Sequence, residues 1–219
     1  QLGERQKAEQ NYTLYKNLLK SLGFPENEHG IFLFQLMLSE GKTDIQDFVF
    51  DATGLDWNDI RTSSFKYAKA IKELYIKKGN SDADYDNLLT TIRRDIDQFS
   101  SSRLQEELTN YFSVVKDEKV VFLFDEASEA INQKKITVLD LQAISESLSS
   151  LGGKVWTIAI AQEKLDDVIN NSNVSKAQLT KVTDRFKTKI HLEATEVDVI
   201  IRNRLLKKTE TGIQKLTEH

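Results

Sequence analysis

The chain has 219 residues, with 9 Gly, 1 Pro, no Cys and a formal charge of −4 from 30 Lys and Arg against 34 Asp and Glu. Gly and Pro together make up roughly 5% against about 12% in average usage, which excludes collagen-like, linker-like and Pro-rich disordered classes and argues against a many-turned β-sandwich or barrel. The lack of Cys excludes disulfides and thiolate sites, the net charge lacks the basic footprint of a duplex binder, and no run of 18 apolar residues offers a membrane span.

Residues 1–115 read as a helical segment. Leu14, Leu18, Leu19 and Leu22 have helical spacing, and Gly23 with Pro25 ends the run. Residues 31–38 read as a buried helix closed near Gly41, and residues 45–52 as a short helix stopped at Gly54. A helix over 60–76 is expected to carry Phe65, Ala68, Ile71 and Tyr75 on one face and to end at Lys77-Lys78-Gly79. Residues 80–86 are polar and read as a loop. Residues 88–115 read as one or two further helices with a break near 100–102. The aromatics Phe32, Phe34, Phe48, Phe50, Trp57, Phe65 and Tyr67 have no basic residues interleaved, so they read as core rather than as a base-stacking platform.

The pattern changes at Lys119. Val120-Val121-Phe122-Leu123-Phe124 is an unbroken β-branched and aromatic run, as in a strand buried on both faces. Thr137-Val138-Leu139-Asp140 is a capping box, opening a helix with Leu141, Ile144, Leu148 and Leu151 on one face and Gly152-Gly153 at its end. Residues 155–160 read as a second buried strand. Leu165-Asp166-Asp167-Val168-Ile169 reads as helical, residues 170–175 as a polar loop, and residues 188–192 as a third strand. Thr195-Glu196-Val197-Asp198 is a second capping box, and its helix buries Val197, Ile200, Ile201 and Leu205 before closing on Lys207-Lys208. The basic cluster Arg202, Arg204, Lys207 and Lys208 reads as a solvated helix face. Strand–helix alternation over 119–208 predicts an α/β fold with a parallel sheet and right-handed crossovers, inside a helix-dominated chain.

The chemistry gathers at strand ends. The first strand runs into Asp125-Glu126, two adjacent carboxylates where open parallel sheets bind ligands. In a P-loop nucleotide hydrolase this is the Walker B strand. Its Asp holds Mg²⁺ directly or through water, and its Glu orients or activates the attacking water. The alternative is a pair of acids in a solvated loop. Gln162 follows the second strand, where AAA+ ATPases place a residue sensing the terminal phosphate; the alternative is an N-cap or surface amide. Arg185, in Asp184-Arg185-Phe186, precedes the third strand at the position of an arginine finger, or else pairs with Asp184 at the surface. A metal-dependent hydrolase built on Asp125, Glu126 and Glu129 is a weaker reading, because no His or further acids converge there. The three His (His29, His191 and His219) are scattered and make no metal cluster.

The segments "VVFLFDEASEAI", "GGKVWTIAIAQEKLDDV", "DRFKTKIHL" and "VDVIIRNRLLKK" resemble the large P-loop ATPase of bacterial BREX phage-resistance systems, an AAA+-like family. The resemblance is clearest over 119–208 and weaker over 22–61. It implies ATP and Mg²⁺ as cofactors and a role in phage defence, and the absence of Cys suits a cytoplasmic protein. It also implies partners that are other subunits of an oligomeric ATPase or defence complex, with DNA reached through that complex. Asp125 would bind the metal and cofactor, and Glu126, Gln162 and Arg185 would be catalytic. The expected organisation is a helical segment over 1–115 inserted before the Walker B strand, a partial P-loop α/β core over 116–195, and a C-terminal helix over 196–219 that starts a lid.

The family's phosphate loop, G-x-x-x-x-G-K-[ST], is missing from these residues. The only Gly-Lys-Thr is Gly41-Lys42-Thr43, with Leu36 where the pattern wants Gly and a helical pattern before it. It reads as a helix C-terminus. The first residue is Gln rather than Met, so the sequence reads as a fragment. The Walker A loop is expected upstream of it, and the fragment alone is not expected to hold ATP. The alternative from another class is a non-catalytic helical interaction module on a small α/β base.

Overall fold

The computed structural model describes residues 2–133 and 136–160, together with 186, 188 and 190. The chain divides into two compact units, Gln1–Arg185 and Phe186–His219, and the architecture below belongs to the first. Its elements are α1 (Leu2–Ser21), α2 (Glu28–Ser39), α3 (Ile45–Thr53), α4 (Trp57–Ile60), α5 (Ser64–Lys77), α6 (Asp82–Asp97), α7 (Ser101–Val114), β1 (Val120–Phe124), α8 (Ala127–Asn132), α9 (Val138–Ser149) and β2 (Val155–Ala159). The described part is helix-dominated with a small parallel sheet.

Helix starts follow local capping chemistry. Asn27, Asp44, Asp56, Ser81, Ser100 and Thr137 each accept a first-turn backbone N–H through the side chain. Of the loop expected over 80–86, only residues 80 and 81 stand outside a helix, and residues 82–86 are the start of α6. Ser81 and Asp84 close a reciprocal capping box, with the Asp84 carboxylate taking the Ser81 N–H at 2.9 Å. The expected single helix from residue 60 is two elements, α4 and α5. The inward stripe of α5 is Tyr67, Ala70, Ile71 and Leu74, so Phe65 points outward and is 76% exposed. Phe50, also expected in the core, is exposed as well.

One apolar core runs from the helices into the sheet. Trp57, fully buried, donates its indole N–H to the Gly23 carbonyl at 3.1 Å, pinning α4 under the α1–α2 turn. Gly30 lets α2 lie against residue 25, because a Cβ there would stand 1.8 Å from the Pro25 carbonyl oxygen. Glu107 of α7 is 1% exposed. Its carboxylate accepts from the Tyr15 hydroxyl (2.9 Å) and the Gln35 amide (2.8 Å) and pairs with Arg103 (2.7 Å), so one buried charge ties α1, α2 and α7 together. Lys7 of α1 reaches Asp140 of α9 at 3.4 Å, while the other Asp140 oxygen completes the Thr137 capping box.

Strands β1 and β2 pair in parallel, Val120 with Val155 through Phe124 with Ala159, and the chain between them forms α8 and α9. Phe122 and Val155 face the core with Ile144 and Leu148 of α9 and Leu104, Leu108 and Tyr111 of α7. The strands are not buried on both faces as expected: Val121, Leu123, Trp156 and Ile158 are exposed. The helical body and α9 cover one side of the sheet only, and alternation along each strand sends every second side chain to the other.

The helix over 165–169, the loop over 170–175 and the capping box and helix from 195 onward lie outside the described residues. Of the third strand expected over 188–192, Thr188 and Ile190 are described and stand in neither helix nor strand. No described helix is long and apolar enough to cross a membrane.

Candidate functional site

The candidate site is the carboxyl end of the parallel pair. The ladder extends one step past the strands, with Ile160 N–H donating to the Phe124 carbonyl at 2.8 Å and Ala127 N–H to the Ile160 carbonyl at 2.9 Å. These two bonds hold the start of α8 against the end of β2. A regular parallel ladder would take the second bond from residue 126; here it comes from Ala127, so Asp125-Glu126 carries one extra residue in a bulge-like turn. Glu126 takes φ 52° and ψ 37°, the one left-handed non-glycine among the described residues. This conformation costs an L-residue roughly 1–2 kcal/mol and persists only where the surroundings impose it. Here the imposed contact is the two-bond splice to Ile160.

Both acids are exposed. One Asp125 oxygen, Oδ1, accepts the Glu126 N–H at 2.9 Å. The bond fixes the carboxylate over the turn and leaves its second oxygen free of partners among the described residues. Glu126 stands at the N-cap of α8 without capping it, so its side chain is not spent on the helix. Glu129, in the first turn, accepts from Gln133 at 2.6 Å. Exposed hard oxygens on a fixed turn fit a hydrated Mg²⁺, which keeps most of its waters and needs only one or two carboxylates. Among the described residues no group of three or more His, Cys, Asp or Glu is arranged to enclose a metal ion.

The structure thus brings Asp125 and Glu126 together at a strand end. Gln162 and Arg185 lie outside the described residues. Gly41-Lys42-Thr43 is resolved as a helix ending. Gly41 has φ 68°, its N–H donates to the Leu38 carbonyl at 2.9 Å, and the Lys42 N–H donates to Met37 at 3.1 Å. A phosphate cradle needs free N–H groups, and these are consumed in closing α2.

A second polar cluster, which the sequence reading missed, sits at the start of α2. His29 Nδ1 lies 2.8 Å from the Tyr85 hydroxyl, Asn27 donates to the Tyr67 hydroxyl at 2.7 Å, and Arg93 Nε donates to Glu28 at 2.9 Å. Burial pushes the His29 imidazole below its ordinary range, and burial with the nearby Glu28 charge pushes the Tyr85 hydroxyl far up. Burial alone would raise the Glu28 carboxyl, but its bond to Arg93 brings it below the usual value. These groups satisfy one another, joining α2, α5 and α6, so the cluster is read as internal bracing. Its members are far apart in the sequence, which carries no local signal for it. The crevice lined by Leu33, Val49, Trp57 and Ile71 has no titratable side chain.

No protein-family model matches the chain, and no solved structure matches it.

Proposed function

We propose that the chain carries the Walker B part of an AAA+-like P-loop ATPase of the kind found in BREX phage-resistance systems. The observation that supports this most is Glu126. A hydrophobic parallel strand ends in Asp-Glu, and the Glu is held in a left-handed turn that presents its carboxylate instead of capping α8. In this reading Asp125 holds Mg²⁺ or its water through the oxygen not bonded to Glu126 N–H. Mg²⁺·ATP, when bound, would supply the phosphoryl group and a counter-charge for it. Glu126 orients the attacking water and accepts its proton, acting from the rigid end of β1. Gln162 contacts the water or terminal phosphate, and Arg185 reaches a neighbouring subunit's nucleotide in an oligomer. The setting is a cytoplasmic defence complex in which DNA is met through the assembly.

The test is ATP turnover by the longest natural polypeptide that contains residues 1–219. Glu126→Gln should cut turnover by about 100-fold or more while leaving ATP binding in place. Undiminished hydrolysis would remove Glu126 from the role. Arg185→Ala should lower turnover only in the assembled oligomer.

A second reading, a helical interaction module without nucleotide chemistry, is favoured by one observation. In the Gly-Lys-Thr of residues 41–43, the Gly41 and Lys42 N–H groups are spent on α2 carbonyls. This reading requires that Mg²⁺·ATP leave the thermal unfolding of that longer polypeptide unshifted.

A further inference from the structure

The extra residue at the end of β1 exchanges one hydrogen-bond donor for another. The register pairs Phe124 with Ala159, so position 125 falls opposite Ile160. A regular continuation would have the Ile160 carbonyl accept from the N–H of residue 126. It accepts from Ala127 instead, at 2.9 Å. The Glu126 N–H, displaced from the ladder, is taken by Asp125 Oδ1 at 2.9 Å. One carbonyl thus has two rival donors in the sequence, and the Asp125 carboxylate satisfies the one that is left out.

The exchange also changes which side chain is buried. Along β1, Val120, Phe122 and Phe124 are buried or half-buried, while Val121 and Leu123 are exposed. Side chains alternate along a strand, so residue 126 of an unbroken β1 would share the covered face with Phe122 and Phe124. An ionised carboxylate turned to that side loses water, which is costly unless it is paired. With the extra residue in place Glu126 is exposed at the strand end, and Ala127, 1% exposed, is the residue that is buried. Bulges recur beside active sites, where the added residue redirects a side chain.

We propose that this bulge aims the Glu126 carboxylate, with Ala127 and Asp125 as its positioning residues. Ala127 supplies the N–H that claims the Ile160 carbonyl, and Asp125 holds the N–H that Glu126 gives up. When either contribution is removed, the Ile160 carbonyl passes to the Glu126 N–H, Glu126 becomes extended, and its carboxylate turns towards the covered side of the sheet. The backbone part of the proposal stands without nucleotide chemistry, and its consequence for turnover rests on the Walker B reading.

The test is nuclear magnetic resonance of the isotope-labelled chain, residues 1–219, carrying Ala127→Pro. Proline has no N–H to give Ile160, suits the first position of a helix, and drives the residue before it to extended backbone. The one-bond Cα–Hα coupling of Glu126, which separates positive from negative φ, should pass from the positive-φ to the negative-φ value, and the Glu126 N–H should gain protection from hydrogen exchange. Ala127→Ser keeps the N–H and should leave both readings as in the parent chain. Asp125→Ala makes the same test through the other positioning residue, and serves alone if Ala127→Pro does not fold. Either variant, folded and with Glu126 still at positive φ, would overturn the proposal. In the longer polypeptide Ala127→Pro should lower ATP turnover about 10- to 100-fold and Ala127→Ser should not. Turnover lost in Glu126→Gln but intact in Ala127→Pro would overturn the positioning role. Turnover intact in both, with φ switched by Ala127→Pro, would remove the Walker B reading and support the bulge as the device that aims Glu126.

Discussion

Removing the Glu107 carboxylate is the sharpest test of how the helical body is held. Glu107→Ala deprives the Tyr15 hydroxyl of its acceptor at 2.9 Å in a site where Tyr15 is fully buried. An unsatisfied buried donor costs about 1–3 kcal/mol. The lost methylene and the space left behind add about 1 kcal/mol. Arg103 has a side chain 37% exposed, so water takes over much of what Glu107 gave it, and that loss adds less than about 1 kcal/mol. The half-buried Gln35 amide adds a similar small amount. The expected total is about 3–4 kcal/mol, a fall in Tm of roughly 6–15 °C for a chain of this size. Urea unfolding followed by far-ultraviolet circular dichroism measures it. Because much of the cost is the stranded hydroxyl, adding Tyr15→Phe to Glu107→Ala should restore about 1 kcal/mol or more. A loss below about 1 kcal/mol for Glu107→Ala, or strictly additive behaviour of the pair, would refute the assignment of Glu107 as the tie between α1, α2 and α7.

Two further outcomes follow from the same geometry. Burial holds the His29 imidazole below its ordinary value of 6.5, with Arg93 acting the same way and Glu28 opposing, so the unfolded chain takes up this proton first. Stability should therefore be level above about pH 7 and fall as the pH drops through and below 6.5. His29→Gln should flatten that part of the curve, measured as chemical unfolding free energy against pH. The Glu28 carboxyl, lowered from 4.5, contributes stability that is lost only at more acid pH, so the two windows separate. Glu126→Gly should raise stability by about 0.5–1 kcal/mol by releasing the left-handed strain and, on the proposed Walker B reading, should abolish ATP turnover in the longer polypeptide. A loss of stability would mean that the Glu126 side chain itself holds the turn.

Much of the local structure was legible in the sequence because its causes are local. The 3.6-residue spacing of Leu14, Leu18 and Leu22, the ends of α1, α2, α3 and α5 near Gly23, Gly41, Gly54 and Gly79, the Thr137–Asp140 capping box and the strand Val120–Phe124 each depend on residues within a few positions of one another. The adjacency of Asp125 and Glu126 at a strand end was legible for the same reason. Ser81 and Asp84 were equally local, yet their polar surroundings read as loop, and the reciprocal hydrogen bonds made them a helix start instead. Other features needed the third dimension. Tyr15, Gln35, Arg103 and Glu107 lie on three helices and become one network only when those helices pack. Phe65 is apolar and could have faced inward, but α5 buries the stripe through Tyr67, Ile71 and Leu74, so Phe65 faces water. Val121 and Leu123 are as hydrophobic as Phe122, and only the placement of α7 and α9 on one side of the sheet decides which of them is buried. Glu126 takes its left-handed turn where the bond from Ala127 to Ile160, across the parallel pair, draws the start of α8 onto the end of β2. Sequence sets what a segment prefers within a turn or two of itself, whereas burial, buried charge and backbone strain are set by what lies across the contact.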